Sequence, residues 1–562
     1  MILLDINIVV AGEAGQGLKT VDQIIGKSLY RLGFSVFSSK DYMSRIRGGH
    51  NFMQIRFGDE KVTGPVEDID ILIALNEDGV DIHQDRVKDD GVILFDGEKD
   101  LDYIQVPAKE MAKEVNPKAV NTVFLGYAWK LLGLPLDALK EVIKEKFGEG
   151  DIFDDNVSLL DDAYAKVESS FDCQLPDGNV EGIYINGNQA VAFGAATAGV
   201  QFYSAYPMTP STGILNYLAS RQDKLGIAVE QAEDEIAAIN MAIGASYGGA
   251  RAMTGTSGGG FSLMAEGLGL AGIMETPLVI AEVQRPGPAT GLPTRTEQAD
   301  LSFVINASQG EFPLKVIAPR DQEDAFYQTF RAFNLADRYQ MPVIILSDGY
   351  LADSGATIPE FKLSELEIDR NLVDENQWPE NREYKRYELT EDGISPRAYP
   401  GQLKGEVVLQ DSDEHDENGF IIEDAETRVK MVDKRMAKFN KLKREDTEEP
   451  VYIGPDKPDY MLVCFGSTYG ALKEAMDRLN GNGHSIGMLS FSDIWPLPTA
   501  ELEKQRSYDT RLVVVEGNST GQLASLIQAE TGLTVDYRIL KYDGRPFTVD
   551  GLVRELEKEV IS

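Results

Sequence analysis

The stretch Tyr206-Pro207-Met208-Thr209-Pro210-Ser211-Thr212, followed by Glu230-Gln231-Ala232-Glu233-Asp234-Glu235-Ile236-Ala237-Ala238, decides how this chain is read. The first segment is a proline-bracketed turn rich in hydroxyls. The second is an acidic turn that runs into a helix of small residues. Both fall at consecutive strand-to-loop junctions of what reads as one parallel sheet. Open α/β sheets hold their ligands in the crevice at the carboxyl ends of the strands, so a binding site is expected here.

Working outward, the same section carries the apolar runs Ala250–Thr254, Pro277–Ala281 and Met341–Leu346, each read as a buried strand. Upstream, Ile6–Val10 breaks at Gly12, Gly15 and Gly17 and passes into a helical pattern through Leu29. Strands at Ser35–Phe37, Ile69–Leu75 and Gly91–Phe95 follow. Downstream come Tyr460–Gly466, a helix over Ala471–Leu479, and strands at Ser485–Ser490 and Leu512–Glu516. The alternation predicts an α/β fold of three α/β domains. They are a doubly wound domain over 1–175, a second domain over 182–356 that holds the opening motif, and a smaller one over 451–562. Residues 357–450 lose periodicity and gain charge and proline, which predicts an extended connection with one exposed or partner-facing helix over Asp424–Lys443. The run Asp411–Glu417 reads as solvated surface.

At 562 residues, 43% hydrophobic, the chain is long enough for several independent cores. No apolar run approaches the roughly 20 residues of a membrane helix, and Met1–Asp5 lacks the basic head of a secretory signal. A net charge of −38, from 92 acidic and 54 basic residues, opposes nucleic-acid binding. Only Cys173 and Cys464 are present, far apart, which suits a reducing cytoplasm and is too few thiolates for an iron-sulfur cluster held by this chain alone. His50, His83, His415 and His484 share no metal-site spacing, so no metal site is expected on the chain.

Several motifs admit a chemical and a plain reading. The turn at Gly12, Gly15 and Gly17 suits a phosphate approached by backbone N–H groups, or simply tight helix-on-strand packing. Arg45 and Arg47 nearby suit phosphates or an interface. Glu235 at the start of a tightly packing helix suits proton exchange with a nitrogen heterocycle if desolvated, or is an ordinary helix-start acid. Thr256-Ser257-Gly258-Gly259-Gly260 invites close backbone approach by a ligand or a partner chain. Arg285, on a Pro/Gly-rich loop after a buried strand, is well mounted to grip a carboxylate in a fork, or is surface decoration.

Taken together, Tyr206–Ser211, Glu233–Ala238, Thr256–Met264 and Gly291–Gln298 closely resemble the α subunit of 2-oxoacid:ferredoxin oxidoreductases, and the N-terminal section resembles that family's γ domain fused ahead of it. Met208 stands where the family commonly has isoleucine. The resemblance implies a γ-like domain, a thiamine-diphosphate pyrimidine-binding domain and a transketolase C-terminal-like domain. It implies thiamine diphosphate shared with a β subunit that carries Mg2+ and a 4Fe–4S cluster, coenzyme A as co-substrate, ferredoxin as acceptor, and a dimer of αβ heterodimers. Glu235 matches the glutamate that hydrogen-bonds the aminopyrimidine N1′. Tyr206, Pro207, Ser257 and Gly258 fall against the cofactor. Thr209 and Arg285 match substrate-binding residues, with Thr294 and Arg295 in the pocket loop. Gly12, Gly15, Gly17, Arg45 and Arg47 are candidates for coenzyme A phosphates. The fused arrangement and the 287–298 loop are most like the 2-oxoglutarate type (2-oxoglutarate synthase), whose product is succinyl-CoA. Pyruvate or branched-chain 2-oxoacids, or a non-catalytic assembly subunit, are the alternatives.

Overall fold

The computed structural model describes residues 4–44, 48–171, 173–175, 182–379 and 381–561. Its backbone divides into two compact units.

The first unit comprises residues 1–186, 353–360 and 547–554. Its sheet has β1 (Asp5–Ala14), β2 (Ser35–Asp41), β3 (Gly48–Gly58), β4 (Ile69–Ala74), β5 (Val87–Phe95), β6 (Ile104–Gln105), β7 (Ile183–Asn186) and β14 (Gly355–Ile358). The order is β6-β5-β4-β1-β3-β2-β14-β7. The sheet is mixed: β1 runs parallel to β4 but antiparallel to β3, a strand the sequence reading passed over. Met53, Ile55 and Phe57 of β3 alternate into the main core while Gln54 and Arg56, also buried, bond the carbonyls of Val66 and Gly64. The helix Leu18–Arg31 after β1 packs into the core with Leu29 and Val123, whereas Val80 of the helix after β4 packs on the opposite face with Val9 and Leu72.

The second unit contains two further sheets. The first has β8 (Phe202–Ala205), β9 (Ala228–Gln231), β10 (Ala252–Thr256), β11 (Leu278–Gln284), β12 (Lys315–Ile317) and β13 (Pro342–Asp348), all parallel, edged by the antiparallel β18 (Asp493–Trp495). The order β18-β12-β13-β11-β10-β8-β9 places β9, β8, β10 and β11 side by side. The other sheet joins β15 (Val451–Ile453), β16 (Tyr460–Phe465), β17 (Ile486–Phe491), β19 (Arg511–Glu516) and β20 (Tyr537–Leu540) in the order β15-β17-β16-β19-β20. The chain leaves β16 toward β17 on one side and returns to β19 on the other, so the strand order reverses between β16 and β19.

Two expectations need correction. The helix Ala425–Glu445 is not exposed throughout, because one face buries Met431, Lys434, Lys438 and Leu442. Lys434 and Lys438 both reach the buried carboxylate of Glu275 at 2.7 Å. The run 411–417 is not wholly solvated: His415 is fully buried and Glu414 accepts from Arg435 at 2.9 and 2.7 Å. The connection carries a small core of Tyr384, Ala398, Leu403 and Val408. Low periodicity reflects irregular backbone here, not an absence of packing.

Candidate functional site

Four neighbouring strands deliver the site at their carboxyl ends. After β8 comes the turn Tyr206–Ser211, with Tyr206 exposed, Pro207 and Thr209 half-buried, and Ser211 donating to the Met208 carbonyl at 2.8 Å. After β9, Asp234 caps the helix Glu235–Tyr247 by accepting from the Ala237 amide at 2.7 Å. That cap takes over the role an ordinary helix-start acid would have had, and leaves Glu235 for other work.

Glu235 is 3% exposed, and its Oε1 is buried with no hydrogen-bond partner among the described residues. An unsatisfied buried carboxylate oxygen is costly, so it marks a place where a ligand donor belongs. After β10, Ser257 is fully buried with its Oγ likewise unpartnered, and the helix Gly258–Ile273 begins. The glycines here have a steric reason. A Cβ on Gly260 would fall 2.0 Å from Oγ1 of Thr256 and 2.5 Å from Oε1 of Glu235, and one on Gly258 would fall 2.2 Å from Oδ2 of Asp300.

After β11, Arg285 donates to the Thr209 carbonyl at 2.7 Å, which ties the β8 and β11 loops together. Burial lowers its pKa, opposed by the negative charges of Asp300 and Glu235. Thr294 and Arg295 continue the same loop and are half-buried; the Arg295 amide donates to the Leu292 carbonyl at 3.1 Å.

Sequence reasoning missed two acids here. Asp300 is largely buried, and burial, offset by Arg285, pushes its carboxyl up to about 6. Glu282, on β11 opposite Thr256, is fully buried with neither carboxyl oxygen hydrogen-bonded among the described residues. Burial, then the charges of Asp300 and Asp348, raise its pKa far above the carboxylate range, so it is a neutral acid. An acid inside the apolar run Leu278–Val283 was the available signal.

In the first unit, Gly12, Gly15 and Gly17 lie at the carboxyl end of β1, with Gly17 in the left-handed region at φ 79° at the N-terminus of the helix Leu18–Arg31. Since helices following the adjacent parallel strands β1 and β4 pack on opposite faces, this turn occupies a switch point of the sheet. Arg45 and Arg47 lie outside the described residues.

The second-unit site therefore has a desolvated acid at a helix start, an unfilled hydroxyl, a glycine helix entry and a guanidinium, all at the edge of one parallel sheet. That set suits a cofactor-binding α/β enzyme subunit. Comparison with known proteins makes it specific. Residues 193–434 match the family described as pyruvate flavodoxin/ferredoxin oxidoreductase, thiamine diphosphate-binding. Residues 7–166 match pyruvate ferredoxin/flavodoxin oxidoreductase, and residues 458–552 match core domain II of pyruvate:ferredoxin oxidoreductase. The chain is 34% identical to the 2-oxoacid:ferredoxin oxidoreductase subunit alpha of Sulfolobus sp, covering 98% of this chain and 96% of that one. It is 35% identical to the 2-oxoglutarate synthase subunit KorA of Archaeoglobus fulgidus, over 61% of this chain and 90% of the relative. The solved 2-oxoglutarate:ferredoxin oxidoreductase from Magnetococcus marinus, with 2-oxoglutarate, coenzyme A and succinyl-CoA bound, superimposes with a TM-score of 0.91 at 34% identity, covering 99% of both chains. The chain belongs to the family of 2-oxoacid:ferredoxin oxidoreductase α subunits, with a γ domain fused at its N-terminal side.

Proposed function

We propose that this chain, together with a β subunit, catalyses the coenzyme A-dependent oxidative decarboxylation of 2-oxoglutarate to succinyl-CoA. Carbon dioxide leaves, the thiol of coenzyme A takes the acyl group and releases its proton, and two electrons pass one at a time to ferredoxin. The observation that carries the reading is the convergence of the unpartnered Oε1 of Glu235 with Arg285 at the ends of β8 to β11.

Thiamine diphosphate fits this site, because Glu235 and Ser257 each hold a buried polar atom with no partner among the described residues, and because Gly258 and Gly260 leave room at the helix entry. When bound, the cofactor supplies a thiazolium carbon able to stabilise the charge left by decarboxylation. Glu235 holds or accepts a proton at the aminopyrimidine N1′, and Ser257 and Gly258 line the cofactor with Tyr206 and Pro207. Arg285 and Thr209 orient the 2-oxoacid head, and Arg295 with Thr294 meets the distal carboxylate. The N-terminal turn at Gly12, Gly15 and Gly17, with Arg45 and Arg47, is assigned to coenzyme A phosphates.

The β subunit is proposed to supply Mg2+ and a 4Fe–4S cluster and to seat on the outer face of the helices that start at Glu235 and Gly258. There Ile236 and Leu263 are each 51% exposed beside the site. A dimer of αβ heterodimers in a cytoplasmic setting belongs to the same proposal.

The test is coenzyme A-dependent viologen reduction by the co-expressed αβ complex, with 2-oxoglutarate, pyruvate and branched-chain 2-oxoacids compared. Glu235→Gln is expected to lose about a hundredfold or more of turnover while still binding β. Full activity in that variant, or a clear preference for pyruvate in the parent, would count against the reading.

A further inference from the structure

The sheet of β15, β16, β17, β19 and β20 reverses its strand order between β16 and β19, and that is where an open α/β sheet ordinarily keeps its ligand. In this chain the crevice is filled from within. Gln298 is 3% exposed there, and its side-chain amide donates to the Phe465 carbonyl at the end of β16 at 2.9 Å. Its Oε1 accepts from Thr468 and from the Gly517 amide, each at 2.9 Å. Its backbone is equally engaged: the amide donates to Gly517 O at 2.6 Å, and the carbonyl accepts from Asn518 at 3.1 Å. A second latch lies two residues back, where Thr296 donates to Oδ1 of Asp348 at 3.1 Å and Ser467 donates to Oδ2 at 2.5 Å.

We infer that this third domain serves the reaction as a fixed platform for the substrate loop, and that Gln298 is the positioning residue that sets the loop's register. The segment from Arg285 to Arg295 is rich in proline and glycine and forms no helix or strand. Its downstream end is held by a side chain whose donor and acceptor are both satisfied at the mouth of another sheet. Loops with little internal structure take their geometry from their anchors. Loss of this anchor loosens the downstream end of the loop that carries Thr294 and Arg295, while the Thr296 latch and the bond from Arg285 to the Thr209 carbonyl remain. The effect therefore falls on discrimination among 2-oxoacids more than on their common head group.

The inference rests on the proposed assignment of this loop to the 2-oxoacid. In the αβ complex, Gln298→Ala is expected to raise the KM for 2-oxoglutarate about tenfold and to shift the ratio of kcat/KM between 2-oxoglutarate and pyruvate by a similar factor. Destabilisation alone cannot move that ratio, because both substrates sample the same folded population. Thr468→Val, which removes one bond at nearly constant volume, is expected to move the ratio in the same direction by a smaller factor, and serves if the alanine variant does not fold. Gln298→Glu accepts as before but donates to Phe465 O only when protonated, so its ratio should return toward the parent value as pH falls. Arg285→Lys is run alongside. An unchanged ratio in both Gln298→Ala and Thr468→Val, with KM raised in Arg285→Lys, overturns the platform role and leaves the substrate loop standing. An unchanged KM in Arg285→Lys overturns the loop assignment and the inference with it.

Discussion

Arg285 donates from Nη1 to the carbonyl oxygen of Thr209 at 2.7 Å, so the guanidinium that follows β11 is fixed by the turn that follows β8. Nη1 is spent on the protein, donating also to Sδ of Met208 at 3.4 Å, and the Nε–Nη2 edge of the planar fork is the side that would meet a carboxylate. Lysine offers a point charge with no fork. Arg285→Lys should raise the KM for the 2-oxoacid about ten- to a hundredfold, corresponding to about 1–3 kcal/mol of lost charge-assisted bonding. Steady-state kinetics with the αβ complex measure this, and an unchanged KM contradicts it.

Gly260 lies under two oxygens of the site, 2.0 Å and 2.5 Å from where its Cβ would be. Neither Thr256 nor Glu235 is a flexible surface group, since both are buried. Gly260→Ala should displace the Glu235 carboxylate and reduce turnover at least about tenfold, with weaker cofactor affinity, in a chain that still folds. Calorimetric titration with thiamine diphosphate and Mg2+ would expose the idea as wrong if affinity matched the parent.

Asp300 titrates at about 6 in the folded chain against an ordinary 3.8, burial being the larger cause. Across that window the folded chain binds the proton more tightly than the unfolded one, so stability declines as pH rises and the penalty is complete above pH 6. Asp300→Asn should therefore be the more stable protein above pH 6, by on the order of 1–2 kcal/mol once the net shift, which already includes the attraction to Arg285, is discounted for partial exposure, and should show no gain below pH 4. Denaturant unfolding at both extremes decides the point; an equal difference at both contradicts it.

Glu275 is fully buried and bonded to Lys434 and Lys438; burial pushes its carboxyl up, but the charges of Lys434, Lys438 and Arg386 together outweigh that and hold it well below the usual range. Its contribution is present above pH 4.5 and is lost as pH falls below that value. Burial already lowers both lysines, Lys438 to about 7, so Glu275→Gln leaves their buried ammonium groups without a carboxylate and drives part of that charge off, and should cost about 3–5 kcal/mol at neutral pH. The helix Ala425–Glu445 should loosen first, which hydrogen exchange across that helix would report. Unaltered protection there would refute the expectation.

The placement of Glu235, Arg285, Thr209, Ser257 and Gly258 at strand ends is legible in the sequence because each sits on a local pattern, the end of an apolar run followed by a turn, and the sheet then lines those ends up. The strand β3 was also written there, as Met53, Ile55 and Phe57 alternating with Gln54 and Arg56, but its buried polar residues disguised it. Asp300 reads in the chain as one more acid in a loop. Only folding takes it out of water and brings it within electrostatic reach of Arg285 and Glu282.

Local sequence thus determined which segments become strands and helices, where the acidic and hydroxyl-bearing turns fall, and the family to which the chain belongs. These follow from periodicity and turn chemistry, which act over a few residues. Tertiary structure alone decided which carboxylates lose water, that Asp234 takes the capping role and frees Glu235, and that Gln298 fills a crevice built from residues 167 and 219 positions away. Desolvation and hydrogen-bond satisfaction depend on what the rest of the chain brings alongside, and no short window of sequence contains that information.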